Sequence, residues 1–101
     1  MSGNPETIEE TKSKTKIGKP SMYKVILLND DYTTTEFVIA ILKDIFHKSD
    51  EEATIITARV HETGAGIAGI YTREIAESKV AEVIVTARHY QFPLQAVTEK
   101  E

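Results

Sequence analysis

An apolar run that stops abruptly is the feature that most constrains this chain. Residues 22–28 are almost continuously apolar, and the next three are Asn29, Asp30 and Asp31. Short polar side chains of this kind bond back to nearby backbone groups and favour turns over strands. Thr33 and Glu36 then form the Ser/Thr-x-x-Glu pattern that begins many helices. The sequence therefore predicts a strand, a polar turn and a helix, in that order.

Two adjacent helices are predicted after this turn. The first covers about 34–47, because four apolar residues recur at helical spacing and form one stripe. Those residues are Val38, Ile41, Leu42 and Ile45. Ser49 and Glu52 repeat the capping pattern and begin a second helix over about 50–63, which Gly64 ends as a C-cap glycine. The two helices are expected to form a hairpin.

The remainder alternates between strand and helix signals. Residues 65–71 place small residues between Ile and Tyr, which predicts a second strand packed closely against a neighbour. Thr72 is predicted to cap a third helix, whose apolar residues are Ala76, Val80, Val83, Ile84 and Ala87. Pro93 prevents its continuation, and residues 94–98 predict a short last strand. The order β-α-α-β-α-β predicts an α+β fold, with a small, three-stranded, mainly antiparallel sheet against three helices.

The polar residues are concentrated at the N-terminus. Ile8 and Ile17 are the only branched apolar residues before Pro20, too few to offset the entropy of ordering that segment. We predict a disordered arm over residues 1–20 and one domain over residues 21–101. The chain has no cysteine and a formal charge of −4, which argues against thiolate chemistry and nucleic-acid binding. The absence of cysteine fits a reducing, cytoplasmic location, which we expect. No apolar stretch is long enough for a membrane span or an ordinary signal peptide, so the protein is expected to be soluble.

The predicted hairpin brings the polar turn close to the end of the second helix. Asn29, Asp31 and Thr33 would then face Val60 and His61 across a pocket. Carboxylate and amide oxygens accept hydrogen bonds from an ammonium group, while aliphatic walls accommodate an apolar side chain. The simplest ligand with both groups is the end of a peptide or an amino acid.

Each of these residues also has a simpler interpretation. The polar turn could be only a turn with solvated carboxylates, and His61 could interact with the dipole at a helix C-terminus. A metal site or an enzyme that uses Asp30, Asp31 and His61 is conceivable. However, no recognisable ligand spacing and no nucleophile with a base is present, so we expect no metal, cofactor or catalytic residue. A test for metal in the purified protein would separate the enzyme interpretation from the others.

The chain resembles the ClpS adaptor family in four segments that occur in the family's order. These are YKVILLNDDYT at 23–33, EFV at 36–38, VH at 60–61 and AESKV at 76–80. The resemblance spans about residues 20–99 without a gap, so it is far more specific than any single segment. It implies a non-catalytic α+β adaptor that binds proteins with N-terminal Leu, Phe, Tyr or Trp. Such an adaptor passes these N-degron substrates to the ClpA or ClpC unfoldase of the Clp protease.

The resemblance also implies roles for individual residues. Asn29, Asp31 and His61 match the family residues that bind the substrate's α-amino group. The positions that match the side-chain pocket are Thr33, Val38, Val60 and Leu94, with Asp30 in the same motif. Glu74 and Lys79, on the exposed side of the third helix, match contacts with the N-terminal domain of the unfoldase. The arm resembles the family's N-terminal extension, which is thought to engage the unfoldase.

Two positions depart from the family pattern. Well-studied members have methionine gatekeepers at the pocket, and this chain has Thr35 and Thr57 at the matching positions. Threonine is shorter and stiffer than methionine and carries a hydroxyl group. We therefore expect a wider and more polar entrance that tolerates N-terminal Ile or Val better.

A different class of function also fits a chain of this composition. A structural or factor-recruiting α+β domain, resembling the C-terminal domain of the ribosomal stalk protein, would present a charged helical surface. In such a domain residues 29–33 would form a plain turn.

Overall fold

The computed structural model describes residues 20–101. It contains three strands and three helices in the predicted β-α-α-β-α-β order, and the predicted fold class is confirmed. The elements are β1 (Met22–Leu28), α1 (Thr35–Asp44), α2 (Asp50–Thr63), β2 (Ala65–Thr72), α3 (Arg73–His89) and β3 (Gln95–Lys100). The predicted arm, apart from Pro20, lies outside the described residues. No helix within residues 20–101 is both long and apolar enough to span a bilayer.

The sheet is antiparallel and β1 lies at its centre, in the order β2-β1-β3. Val25 and Leu27 of β1 are fully buried, as expected for side chains that point from a central strand towards the helices. Ile26 points to the opposite face, where it pairs with Ile67 of β2 and Val97 of β3. The core therefore lies between one face of the sheet and the three helices.

A β-bulge in the pairing of β1 with β2 changes which side chains of β2 point towards the helices. Val25 pairs with Gly69 and Ile26 pairs with Ile67, so Ala68 is the extra residue. A side chain at Gly66 would force Val60 to move, because its Cβ would lie 2.7 Å from Val60 Cγ2. The absence of a side chain at this position therefore lets α2 pack directly on β2, in agreement with the close packing predicted from the small residues.

The ends of α2 follow the prediction in detail. Ser49 Oγ accepts a hydrogen bond from Glu52 N–H at 3.1 Å, and Glu52 Oε1 accepts one from Ser49 N–H at 3.0 Å. Gly64 ends the helix in the left-handed conformation, with φ at 93°. The pair of bonds at the start and the glycine at the end fix both ends of this helix.

The predicted start and end of α1 require correction. Thr34, not Thr33, is the N-cap residue, and its hydroxyl accepts a hydrogen bond from Phe37 N–H at 3.1 Å. The hydroxyl of Thr33 instead donates to Asp30, so it is not available as a cap. The helix ends at Asp44, three residues before the predicted end, although all four residues of its predicted apolar stripe are buried.

Helix α3 packs its apolar stripe on the sheet and is joined to β3 by a short loop. Ala76, Val83 and Ala87 are buried, whereas Val80 and Ile84 are half-buried. Thr72 is the N-cap residue as predicted, but its side chain makes no capping hydrogen bond. After the helix, the Arg88 guanidinium donates to the carbonyls of Phe92 and Leu94 at 2.9 and 2.8 Å. Strand β3 begins one residue later and extends two residues further than predicted.

Candidate functional site

A cavity of about 240 Å³ lies where the turn after β1 meets the first residues of α1 and the C-terminal half of α2. It contains every residue that the sequence predicted for ligand binding except Leu94. The lining residues are Asn29, Asp30, Asp31, Thr33, Thr35, Val38, Thr57, Val60 and His61. Residues from three separate segments therefore surround one concave site, as the predicted hairpin requires.

A backbone hydrogen bond joins the two sides of this cavity. Asn29 N–H, at the end of β1, donates to the carbonyl of Gly64 at 3.0 Å. Gly64 N–H in turn donates to the carbonyl of Val60 in the last turn of α2 at 2.9 Å. The turn that carries Asn29 and Asp31 is thereby held beside the helix end that carries His61.

The cavity has exposed polar side chains at its mouth and two buried valines beneath them. Asn29, Asp31 and His61 are exposed. Val38 and Val60 are buried and belong to the hydrophobic core. A ligand that enters would meet hydrogen-bonding groups first and aliphatic walls beneath them, which is the arrangement expected for a molecule with a charged end and an apolar side chain.

Asp30 uses both carboxylate oxygens to build the turn. Oδ1 accepts hydrogen bonds from the N–H groups of Tyr32 and Thr33 at 2.8 and 2.7 Å, and Oδ2 accepts one from the Thr33 hydroxyl at 2.7 Å. Partial burial acts to raise the pKa of the Asp30 carboxyl, but these hydrogen bonds and the charge of Arg88 together lower it below 3.8. Asp30 is therefore a charged residue that fixes the shape of the turn.

Three neighbouring side chains are uncommitted, in the sense that they form no side-chain hydrogen bond within residues 20–101. They are those of Asn29, Asp31 and His61. Their polar atoms lie at the mouth of a cavity whose shape is set by Asp30 and by the bond between Asn29 and Gly64. They can accept hydrogen bonds from a ligand without first breaking bonds of the fold.

One polar atom in the wall of the cavity lies deeper. Thr57 is only 7% exposed, and its hydroxyl is buried with no hydrogen-bond partner in the part of the chain that the structure describes. Thr35, the other predicted gatekeeper, is exposed at the start of α1. The two threonines therefore lie at different depths.

The other predicted functional residues lie elsewhere. Leu94 is 1% exposed and belongs to the core. Glu74 is exposed on α3, as predicted. The prediction that Lys79 is exposed is wrong, because its side chain is half-buried. Its ammonium group donates to the carbonyl of Ile45, at the end of α1, at 2.7 Å. Its Nζ also lies 5.8 Å from the centre of the Tyr71 ring.

Two residues that support the site were not singled out from the sequence. Gly66 lets α2 approach the sheet, in agreement with the close packing predicted for residues 65–71, although that prediction did not name this residue. Arg88 holds the loop before β3 and contributes positive charge near Asp30, which no local pattern could indicate. Among residues 20–101, no group of three or more His, Cys, Asp or Glu side chains is arranged to hold a metal ion.

Comparison with known proteins identifies the family. The family model described as ATP-dependent Clp protease adaptor protein ClpS matches residues 18–97. The ATP-dependent Clp protease adapter protein ClpS of Phenylobacterium zucineum (strain HLK1) is 54% identical over 91 residues, which cover 90% of this chain and 84% of that protein. ClpS 1 of Rhizobium meliloti (strain 1021) is 55% identical over 94 residues, covering 93% of this chain and 79% of that protein.

A solved structure agrees with these matches. Agrobacterium tumefaciens ClpS2 bound to L-phenylalaninamide superposes with a TM-score of 0.79 at 38% identity. The match covers 82% of this chain and 100% of the other. The chain therefore belongs to the ClpS family of Clp protease adaptor proteins.

Proposed function

We propose that this chain is a non-catalytic adaptor that binds the free N-terminus of a protein whose first residue is Leu, Phe, Tyr or Trp. The observation that carries the proposal is the cavity, because uncommitted Asn29, Asp31 and His61 lie at its mouth above the buried Val38 and Val60. A solved relative is bound to L-phenylalaninamide, a molecule that has a free α-amino group and a benzyl side chain.

The proposed recognition depends on the α-ammonium group. Asp31 supplies a carboxylate, Asn29 supplies an amide oxygen, and His61 supplies a ring nitrogen that binds directly or through a water. The first side chain enters the cavity and is buried against the aliphatic walls, which provides the apolar part of the binding free energy. An internal residue has no ammonium group and would cover these acceptors without pairing them, at a cost of about 1–3 kcal/mol for each acceptor that it removes from water.

The same geometry supports binding rather than catalysis. A nucleophile needs a base that can take its proton. The hydroxyl of Thr33 donates to Asp30, but the hydrogen bonds of the turn lower the pKa of the Asp30 carboxyl, which makes this carboxylate a poor base. Asp30 in turn has both oxygens bonded within the turn. In a factor-recruiting domain, residues 29–33 would form a plain turn. In this structure, four of these five residues line a cavity.

We further propose that bound substrates are delivered to the N-terminal domain of the ClpA or ClpC unfoldase through α3. Glu74 is exposed in the first turn of this helix and is available for an ion pair with a partner. Charge reversal in Glu74→Lys should weaken capture of the isolated unfoldase domain while leaving peptide binding unchanged. Lys79→Ala should also lower stability, because it removes the bond to Ile45.

Fluorescence anisotropy with labelled decapeptides that differ only at the N-terminus tests the binding proposal. Free-amine Phe and Leu peptides should bind, whereas free-amine Gly and acetylated Phe peptides should not. A free-amine Ile peptide should bind with intermediate affinity if the two threonines widen the entrance. Equal binding across the series, or none, would contradict an N-terminal-residue receptor.

A further inference from the structure

A groove between α1 and α3 is a second concave surface, separate from the cavity described above. Its volume is about 330 Å³, and none of the described residues lines both sites. One end lies at Ile45, whose carbonyl accepts the hydrogen bond from Lys79. The other end lies at the rings of Phe37 and Tyr90, whose centres are 5.7 Å apart. The groove has the size of a ligand site but takes no part in the proposed recognition of an N-terminus.

The groove combines an apolar floor with negative charges at its sides. Ile41 and Ile45 are buried, and Tyr90 is exposed beside them. Asp44 of α1 and Glu82 of α3 are exposed, and none of the described residues that line the groove is basic. Neither carboxylate forms an ion pair within residues 20–101. A ligand that fits this lining would have an apolar side chain flanked by positive charges.

The chain itself contains a segment with this chemistry, just before the described residues. Residues 12–19 have the sequence KSKTKIGK, with four lysines, one isoleucine and no acidic residue. The acidic residues of the arm, Glu6, Glu9 and Glu10, all precede this segment. Only the second half of the arm is therefore complementary in charge to the groove.

The point at which the arm joins the domain lies within reach of the groove. Met22, the first residue of β1, pairs with Thr72, the N-cap residue of α3. Lys79 lies about 10 Å from Thr72 along the helix axis, and Glu82 lies about 5 Å further. The chain from Ile17 to Met22 can extend over about 17 Å. Ile17 can therefore reach the near end of the groove, and the lysines before it can reach beyond that end.

We propose that the groove between α1 and α3 binds residues 12–19 of the same chain, with Ile17 against the apolar floor and lysines beside Asp44 and Glu82. Single exposed ion pairs contribute little. A tethered segment, however, has an effective concentration in the millimolar range, so weak contacts can populate the bound state. A segment bound in this groove is unavailable to any other partner, so the groove would regulate access to the arm.

The test uses the full chain with a nitroxide label on Ser13→Cys, a unique labelling site because the chain has no other cysteine. Nuclear magnetic resonance then measures which backbone amide signals the label weakens. We expect selective loss of signal at Ala40 and Thr86, which line the groove, and no loss at Ile67, on the opposite face of the sheet. No loss, or equal loss at all exposed residues, would overturn the proposal. Loss that appears only when labelled chains are mixed with separate unlabelled ones would assign the groove to the arm of a second copy.

Charge reversal tests whether the carboxylates hold the segment. Asp44→Lys combined with Glu82→Lys should abolish the selective loss of signal. Glu51→Lys combined with Glu62→Lys is the matched control, because it makes the same change of charge at exposed positions of α2 outside the groove, and it should retain the loss. A selective loss that persists after the groove is reversed would overturn the proposed ion pairs.

Reversing the charges of the arm gives a second test that changes no residue of the groove. The variant that combines Lys12→Glu, Lys14→Glu, Lys16→Glu and Lys19→Glu should also lose the selective signal loss. Combining it with Asp44→Lys and Glu82→Lys should restore the loss, because the charges are again opposite. Failure of this restoration would contradict pairing between the arm and the groove. The proposed binding of N-termini would be unaffected by that result, because the cavity and the groove share no described residue.

Discussion

Two turns in this molecule lead into helices with the same capping chemistry but differ in how they use their polar groups. Residues 29–34 precede α1 and residues 45–49 precede α2. In each, a hydroxyl accepts a hydrogen bond from the backbone N–H three residues later, Thr34 from Phe37 and Ser49 from Glu52. The pattern of residues that begins a helix is therefore nearly the same in the two turns.

The difference lies in the side chains beside the caps. In the second turn, Ser49 and Glu52 bond to each other's backbone, and Lys43 forms an ion pair with Asp50 across the turn. In the first turn, Asp30 is bonded internally, but the side chains of Asn29 and Asp31 have no hydrogen-bond partner within residues 20–101. A cap determines where a helix begins, whereas the uncommitted polar groups beside the cavity are where we propose that a ligand binds.

The largest expected effect comes from removing the negative charge of the Asp31 side chain in the first turn. Asp31→Asn should weaken binding of a free-amine Phe peptide about 10- to 100-fold, because it removes a charge-assisted hydrogen bond to the ammonium group. The melting temperature should stay nearly constant, because Asp31 makes no side-chain hydrogen bond within residues 20–101. Anisotropy and thermal unfolding measure the two effects.

Asp50→Asn is the matched control for this variant. It makes the same change of charge and shape at the first residue of α2, beside the second turn. Its exposed ion pair with Lys43 contributes little to stability. Peptide affinity should be unchanged in Asp50→Asn, and an equal loss in both variants would mean that overall charge, not Asp31, determines binding.

Asp30 should behave in the opposite way to Asp31, with a loss of stability. Asp30→Ala removes three hydrogen bonds within the turn and should lower the free energy of unfolding by about 1–2 kcal/mol. Asp30→Asn, which keeps an oxygen for the two backbone N–H groups, should lose less. Chemical denaturation at neutral pH measures both, and no loss in Asp30→Ala would contradict its role in the turn.

The stabilisation by Asp30 should also depend on pH. Its pKa is lower in the folded protein than the ordinary 3.8. The charged carboxylate therefore favours folding fully above that ordinary value, and the contribution disappears as the pH falls through the folded-state pKa. The difference in stability between the unmodified chain and Asp30→Ala should accordingly shrink on acidification below pH 3.8.

Removing the helix cap in the second turn should lower stability and leave binding unchanged, which is the reverse of the effect expected for Asp31→Asn. Ser49→Ala should cost about 1 kcal/mol of stability, because it leaves a backbone N–H of α2 without its partner. Ser49 lies outside the cavity, so peptide affinity should be unchanged at temperatures where the protein is folded. A loss of affinity without a loss of stability would show that the second turn also contributes to binding.

The smallest expected effect is that of the His61 side chain. His61→Ala should weaken binding of the free-amine Phe peptide a few-fold, because it removes one ring nitrogen from the mouth of the cavity. His47→Ala, in the second turn and outside the cavity, should leave the affinity unchanged, and an unchanged affinity in His61→Ala would remove His61 from direct contact with the amine.

The elements that sequence predicted best are those whose signals are local. The strand at 22–28 and the helix at 50–63 have the predicted bounds, because an apolar run and a reciprocal cap depend only on nearby residues. The start of α1 could not be decided in the same way. Thr33 and Thr34 can each cap a helix, and the choice depends on the bond between Thr33 and Asp30.

Contacts between distant residues were less predictable. The bond from Lys79 to the carbonyl of Ile45 joins two helices, and α3 alone gave no indication that this lysine would be used internally. The bulge at Ala68 likewise depends on how β2 pairs with β1. The residues around the cavity could be grouped from sequence because a helical hairpin leaves few ways to arrange its ends, but the uncommitted state of Asn29 and Asp31 required coordinates.

The backbone hydrogen bond between Asn29 and Gly64 has a kinetic consequence. A peptide terminus that binds as proposed would meet two sides that are already held together, so little of the binding free energy would be lost in ordering the site. Association rates should then vary little from one N-terminal residue to another, and differences in affinity should be expressed mainly as differences in dissociation rate. In an adaptor of this kind, the residence time of each peptide would determine which substrates remain bound long enough to be handed over.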